Sequence, residues 1–360
     1  MMQEEDDFLI SPVRNPAGQI STTVVIPVFN AEATLLRAAQ SALEQTSRDI
    51  EVIIVDDAST DSSWQTICTL LSQDSRVRAL RNKQNRGKSV GMNRAMTVAR
   101  GQWLAVLDAD DWYHADRLCS LMRLANRQAV DMVADNQFLY DARADRMVCT
   151  AWHPSNSAWE LSFDDFLIGS DAYENFNLGM LKPVMKVDFM RKMGRAYEEK
   201  ARQGEDFLHL FQFFLAGGKA AISDRPFYYY TQPFGTISHQ WSHTTRTRYD
   251  FQNAFEVNQR HFEAAVQSLT LRQRALLETR NRNLLALETY FSAKSAAARH
   301  DWRAAIATLA GYPAALDCLL WRLRHRFLSQ PTSRAIDRIA ARSRQRTPLD
   351  IPEYQPGATA

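Results

Sequence analysis

Four short, largely apolar runs stand out in the first third of the chain: Thr23-Val24-Val25-Ile26, Val52-Ile53-Ile54-Val55, Val77 to Leu80 and Trp103 to Leu107. They do not alternate apolar with polar positions, so they predict strands buried on both faces, as in a parallel sheet. Between them the apolar spacing becomes helical. Leu35, Ala38, Ala39, Ala42 and Leu43 predict a first helix, Ser59 to Leu71 a second, and Lys88 to Arg100 a third closed by Gly101. Pro27 has no N–H to give a ladder and marks the end of the first strand. Asn30 is expected to cap the first helix with Glu32 in its first turn, and Ser59 or Asp61 to cap the second. Strands alternating with helices predict an α/β fold, a mostly parallel sheet covered on both faces. Functional groups of such a sheet gather at the carboxyl ends of its strands. Asn30, Asp57 and Asp110 all fall at such ends, though they are far apart in sequence.

Beyond Tyr113 the pattern loosens. Short β-like pieces occur at Met132-Val133-Ala134, Met147-Val148-Cys149 and Phe227 to Thr231, and Gly204-Glu205-Asp206-Phe207 opens a helical stretch that ends near Gly217-Gly218. From Arg246 onward the spacing is almost wholly helical. Residues 1–20 read as a loose tail with Pro12, Pro16 and Gly18. The predicted organisation is a tail over 1–20, an α/β domain over 21–245 and a helical, basic region over 246–360.

Charge sharpens this division. The net charge is +2, but residues 246–360 carry 18 Lys+Arg against 10 Asp+Glu, and residues 1–245 carry 25 against 31. Such asymmetry pairs an acidic, candidate catalytic part with a part suited to an anionic surface. Cys68, Cys119, Cys149 and Cys318 are too scattered for a zinc or redox motif and read as buried, reduced core residues of a cytoplasmic protein. The acidic start Met-Met-Gln-Glu-Glu-Asp-Asp does not read as a secretory signal, and no clean transmembrane run is present. Ala304 to Leu320, the nearest approach, is broken by Gly311, Pro313 and Asp317.

The candidate chemistry lies in Asp108-Ala109-Asp110-Asp111. Two carboxylates leaving a strand end suit a divalent cation, and such a cation neutralises a diphosphate leaving group. Alone, Asp-x-Asp is as well explained by a turn. Asn85-Arg86-Gly87-Lys88-Ser89 is not a phosphate-binding P-loop, because the position of its first glycine is Asn82. No Gly-x-Gly-x-x-Gly follows the first strand, which disfavours a dinucleotide-binding dehydrogenase.

Four stretches occur in order: Val25-Ile26-Pro27-Val28-Phe29-Asn30-Ala31-Glu32, Val55-Asp56-Asp57-Ala58-Ser59-Thr60-Asp61, Asn85-Arg86-Gly87-Lys88-Ser89-Val90-Gly91-Met92-Asn93 and Leu107-Asp108-Ala109-Asp110-Asp111. Together they resemble the GT-A fold, family 2 glycosyltransferases over about residues 21–235. The resemblance implies a UDP- or similarly activated sugar donor, Mg2+ or Mn2+, and inversion at the anomeric carbon. It assigns Pro27, Phe29, Asn30 and Glu32 to a nucleoside-binding loop and Asp57 to the uracil ring. Asp110 becomes the metal ligand, Asp108 a helper at ribose or metal, and Arg86 and Lys88 candidates for the diphosphate or sugar. Asp111 would orient the loop, with Asp56 structural. Gly204-Glu205-Asp206 resembles the family's Glu-Asp motif, so Asp206 is the candidate base and Glu205 its support. His209, one turn on, is a candidate partner of either.

Asn177-Leu178-Gly179-Met180-Leu181-Lys182-Pro183-Val184, before that motif, and Tyr228-Tyr229-Tyr230-Thr231 with Thr236-Ile237-Ser238, after it, look like bacterial exopolysaccharide (succinoglycan-type) glucosyltransferases. Trp152, Trp159, Tyr173 and Trp241 are candidate sugar-stacking aromatics, set against core packing. The Gln-x-x-Arg-Trp motif and membrane helices of processive synthases are absent from the sequence, which favours single addition. Between Trp321 and Arg346, Arg322, Arg324, Arg326, Arg334, Arg338, Arg342, Arg344 and Arg346 accompany one acid, Asp337. Such a segment suits an anionic inner-leaflet surface or a solvated helix face. No nucleic-acid-binding fold is recognisable. The expected activity is transfer of one sugar, glucose, to a lipid-linked oligosaccharide on the cytoplasmic face of the inner membrane. The alternatives are a non-catalytic sugar-nucleotide-binding or assembly protein, or transfer of another sugar in lipopolysaccharide or protein glycosylation.

Overall fold

The computed structural model describes residues 3–5, 8–10, 20–142, 144–174, 176–194, 197–201, 203–232, 250–318, 320, 333–346 and 349–350. The predicted apolar runs form strands: Thr22–Val28, Ile50–Asp56, Val77–Asn82 and Trp103–Val106 lie parallel in one sheet. Their largely apolar character has a direct cause, because successive side chains point into different cores. Val25, Ile53, Val55, Leu80 and Val106 face one buried cluster, while Val24, Ile26, Val52, Ile54 and Ala105 face another. Helices Leu35–Leu43, Ser63–Gln73 and Arg117–Gln128 cover the second face; Lys88–Val98 and Glu205–Leu215 cover the first. Gly101 lets the third helix return to the sheet. A Cβ there would lie 2.4 Å from the Thr23 backbone nitrogen, so no larger residue fits without moving the first strand.

The sheet continues through a mixed half that the sequence showed only in fragments. Val184–Lys186 pairs antiparallel with Trp103–Val106 and with Met132–Asp141. Ala220–Gln232 then runs parallel to Met132–Asp141 and carries Trp112–Tyr113 on its edge.

Several expectations need correction. Residues 1–20 are not simply a tail: Gln3–Glu5 and Phe8–Ile10 form an antiparallel pair, and Phe8–Ile10 adds to the outer edge of Val77–Asn82. That edge offers unpaired backbone groups, and Phe8-Leu9-Ile10 has the composition to take them. The helical region past residue 250 does not have a core wholly its own. Val257, Phe262 and Leu277, with Ile336, Ile339 and Ala340 of helix Arg334–Arg346, join the core that holds Val25 and Ile53. A boundary at 245 falls outside the described residues. Cys318 is buried, but Cys68 is exposed and Cys119 and Cys149 are half-buried, all four as free thiols.

Trp152 and Trp159 are fully buried. Their indole N–H groups donate to Asp224 Oδ1 at 3.0 and 2.9 Å, so they pack the core and do not stack on a sugar. Asp224 Oδ2 also accepts from Ser155 and pairs with Arg344 at 2.6 Å. One arginine of the basic segment therefore anchors its helix to the sheet domain. Tyr173 is half-buried against the small cluster of Phe251, Leu284 and Leu287. Trp241, Thr236, Ile237, Ser238, Arg322, Arg324 and Arg326 lie outside the described residues. Among the described residues no helix is long and apolar enough to cross a membrane.

Candidate active site

The loop after the first strand is stapled to the loop after the second. Asn30 takes φ 50°, a left-handed conformation that asparagine tolerates better than most residues. Its backbone N–H donates to Ser59 Oγ at 3.0 Å, and its Oδ1 accepts from the Thr60 N–H at 2.8 Å. Glu32 accepts from the Ser62 N–H at 2.9 Å, and the Glu32 N–H donates to Asp61 at 3.1 Å. Asn30 and Glu32 thus bridge two loops and do not cap the first helix, which starts later with Thr34 at its N-cap. The second helix has Ser62 at its N-cap without a side-chain cap bond; Asp61 Oδ1 accepts from the N–H of its first residue, Ser63, at 2.9 Å, and Ser59 instead accepts from Asn30. The first strand runs one residue past Pro27, to Val28, and half-buried Phe29 follows.

Asp57 organises the next loop. Its Oδ1 accepts from Asn82 Nδ2 at 2.7 Å and from the Arg86 N–H at 2.8 Å, and its Oδ2 accepts from the Gly87 N–H at 2.8 Å. Gly87, at φ 87°, turns the chain into the helix that begins with Lys88. Asp56 is structural, held by Arg81 Nε at 3.0 Å.

The acidic run divides by burial. Asp111 is buried; its Oδ2 accepts from the Tyr228 hydroxyl at 2.6 Å and its Oδ1 from the Thr231 N–H at 2.7 Å. It orients the loop, as the sequence implied. Burial, with the charges of Asp110 and Asp108, pushes its carboxyl well above the usual range. Asp110 is half-buried at the rim, and its carbonyl accepts from Thr231 Oγ1 at 2.6 Å and Arg37 Nη2 at 3.0 Å. Arg37 lies 3.8 Å over Trp112, which stacks on Tyr229, which stacks on Phe138. No sequence pattern announced this stack, because its members come from four separate segments.

Asp108 and Asp206 meet across two lysines. Lys88 Nζ lies 3.1 Å from Asp108, 3.2 Å from Asp206 and 3.4 Å from Glu205. Lys182 Nζ lies 2.7 Å from Asp108 Oδ2 and 2.8 Å from Asp206 Oδ2. Burial alone would push the carboxyls up and the ammonium groups down. The mutual charges prevail, so Asp108 and Asp206 stand below the usual carboxylate range and both lysines above theirs. Glu205 is pushed up by burial and by the Asp206 charge. Gly204, at φ 77°, starts the helix that presents Glu205 and Asp206 at its N-terminus, where the helix dipole favours carboxylates. His209 is buried, stacked 4.2 Å from Tyr197, with Nε2 3.0 Å from Met185 Sδ.

Sequence reasoning did not name Lys182 as a site residue, although it lies in a stretch already noted. Lys182, Asp206, Tyr197 and His209 line a shallow recess here, among others. Behind it, the buried pair Arg117–Asp135, at 2.7 Å, sends Arg117 Nη2 to the Lys182 carbonyl at 2.5 Å. Among the described residues, no group of three or more His, Cys, Asp or Glu side chains is placed to hold a metal ion by itself.

Residues 23–167 match the family described as Glycosyl transferase family 2. Residues 23–167 thus resemble a family 2 glycosyltransferase domain, and the chain has a GT-A-like fold. It is 31% identical over 219 residues to the succinoglycan biosynthesis protein ExoO of Rhizobium meliloti, covering 60% of this chain and 62% of that one. It is 30% identical over 117 residues to WfaP of Escherichia coli, a UDP-Glc:alpha-D-GlcNAc-diphosphoundecaprenol beta-1,3-glucosyltransferase, covering 32% of this chain and 46% of that one. The chain thus spans less than two thirds of the length of these relatives. S. aureus TarS 1-349 in complex with UDP-GlcNAc shares the fold, with a TM-score of 0.51 at 17% identity, covering 82% of this chain and 92% of that one.

Proposed function

We propose that the protein transfers one sugar, glucose, from a UDP-sugar to a lipid-linked oligosaccharide, with inversion, in exopolysaccharide biosynthesis. The observation that carries this reading is the meeting of Asp108, next to the candidate metal ligand Asp110, with Asp206, the candidate base. Elements far apart in the chain bring donor-side and acceptor-side carboxylates into one site. In the reaction Asp206 takes the acceptor hydroxyl proton, the hydroxyl oxygen bonds to the anomeric carbon, and the bond from that carbon to the diphosphate breaks. Glu205 supports Asp206. Pro27, Phe29, Asn30, Glu32 and Asp57 form the nucleoside side, and Arg86 and Lys88 serve the diphosphate or sugar.

The site suits Mg2+ or Mn2+, which Asp110 would hold with Asp108 as helper. The donors are hard carboxylate oxygens, which suit such a cation. Such a cation supplies charge neutralisation on the leaving diphosphate. The UDP-Glc donor and diphosphoundecaprenol-linked acceptor of WfaP, and the UDP-GlcNAc bound to TarS, support these donor and acceptor classes. Arg334, Arg338 and Arg342 are exposed on helix Arg334–Arg346 and provide the described part of a basic face for an inner-leaflet surface on the cytoplasmic side.

The test is a donor screen across UDP-, GDP- and dTDP-sugars with Mn2+, read as sugar release or transfer to a polyprenyl-linked acceptor. UDP-glucose turnover that falls at least about 100-fold in Asp206→Ala and Asp110→Ala is expected. Unchanged turnover in either variant refutes its assigned role. Equal binding to neutral and anionic liposomes refutes the basic face.

A further inference from the structure

Leu181-Lys182-Pro183 leads into the short strand Val184–Lys186, and the chain there is tightly constrained. Leu181 is fully buried, Pro183 confines Lys182 to extended backbone, and Arg117 holds the Lys182 carbonyl. The lysine itself is 5% exposed, an uncommon place for an ammonium group without a task for its charge. Its Nζ donates to one oxygen of Asp206 and one of Asp108, at 2.8 and 2.7 Å. Lys88 approaches the same two carboxylates at 3.2 and 3.1 Å from the other helix terminus. The four groups form a ring in which cations and anions alternate. Lys88 was already assigned to the diphosphate or sugar; Lys182 makes the shorter contacts and has no assigned role.

We infer that Lys182 is the positioning residue of the base: it fixes the Asp206 carboxylate by its Oδ2 oxygen and ties it to the donor-side Asp108. This rests on the transferase reading above. A carboxylate at a helix N-terminus can rotate about its side-chain bonds, and a base misplaced by about 1 Å loses about 100-fold in rate. Lys182 removes that freedom because its own backbone is pinned from behind. Lys88 Nζ lies 3.2 Å from both Asp206 oxygens, so both lose a contact when the donor engages Lys88, whereas Oδ2 keeps Lys182 at 2.8 Å.

The test is a double-variant cycle on the full chain with Mn2+ and the donor that turns over. Lys182→Met is expected to lower kcat about 100-fold while the Kd for UDP, read by calorimetry, stays within about threefold. The pair Lys182→Met, Asp206→Ala is expected to be no slower than Asp206→Ala alone, because a residue acting through another adds nothing once that other is gone. Lys182→Arg, which keeps the charge, is expected to recover at least about tenfold of the loss. A kcat within about threefold of the unaltered protein in Lys182→Met overturns the inference. So do multiplicative losses in the pair. UDP affinity falling in step with kcat also overturns it, by making Lys182 a donor ligand. If Lys182→Met does not fold, as judged by circular dichroism, Lys182→Arg carries the test. A folded Lys182→Arg protein within about tenfold of normal kcat supports the role, and one as slow as Asp206→Ala overturns it. Absence of sugar turnover in the unaltered protein overturns the transferase reading and this role with it. Turnover with additive losses overturns this role alone.

Discussion

Replacing Asp135 by Asn breaks the ion pair behind the site and leaves Arg117 charged and enclosed. Arg117 is fully buried and Asp135 is 1% exposed. Asp135 Oδ1 accepts from Arg117 Nη2 at 2.7 Å and from Nε at 3.1 Å, and its Oδ2 accepts from the Phe227 N–H at 3.2 Å. The guanidinium also lies 4.3 Å from the Tyr113 ring and 5.1 Å from the Tyr228 ring. Breaking a buried pair from one side costs about 3–5 kcal/mol, because the remaining charge keeps its desolvation cost and loses its partner. At about 2 °C per kcal/mol for a large domain, Tm falls by roughly 6–10 °C. The double variant Arg117→Met, Asp135→Leu removes both charges and restores most of this, leaving about 1 kcal/mol for the unpaired Phe227 N–H. Turnover separates stability from function: the double variant should stay about tenfold slow, because the Lys182 carbonyl has lost its donor. Thermal unfolding and steady-state rates on the same preparations measure both. A loss below about 1 kcal/mol in Asp135→Asn refutes the buried pair. Full turnover in the stable double variant refutes the hold on Lys182.

Three other outcomes are expected. Asp224→Ala leaves the Trp152 and Trp159 indole N–H groups buried without an acceptor, at about 1–3 kcal/mol each, so unfolding should shift by several degrees. The acceptor KM should not move, whereas a changed KM with unchanged Tm would restore the sugar-stacking role. Gly101→Ala forces a Cβ against the Thr23 backbone nitrogen and should cost about 1–3 kcal/mol by denaturant titration; a neutral result contradicts the close approach. Arg37→Ala removes one of the two donors to the Asp110 carbonyl and uncovers one face of Trp112, so half-maximal rate should need several-fold more Mn2+. An unaltered Mn2+ titration removes Arg37 from the support of that loop.

The sequence alone determined the parallel half of the sheet. Runs such as Val52-Ile53-Ile54-Val55 are apolar at every position, and only a strand between two cores needs that. It placed Asp57 and the acidic run at strand ends for the same reason, and Gly204-Glu205-Asp206 at a helix start. Caps were misread because Asn30 and Ser59 have side chains that serve a helix start or a neighbouring loop equally well, and the loop lay thirty positions away. Trp152 and Trp159 were ambiguous because an indole suits a core as well as a sugar; the buried Asp224 decided it. Only tertiary structure could bring Lys88 to Asp206 across 118 positions, or set Lys182 between Asp108 and Asp206. The place of Asp108-Ala109-Asp110-Asp111 at a strand end was legible because the apolar run before it is its neighbour in sequence. The lysine bridge was not, because an ion pair depends on distance in space, and periodicity records only which face a residue shares with its near neighbours.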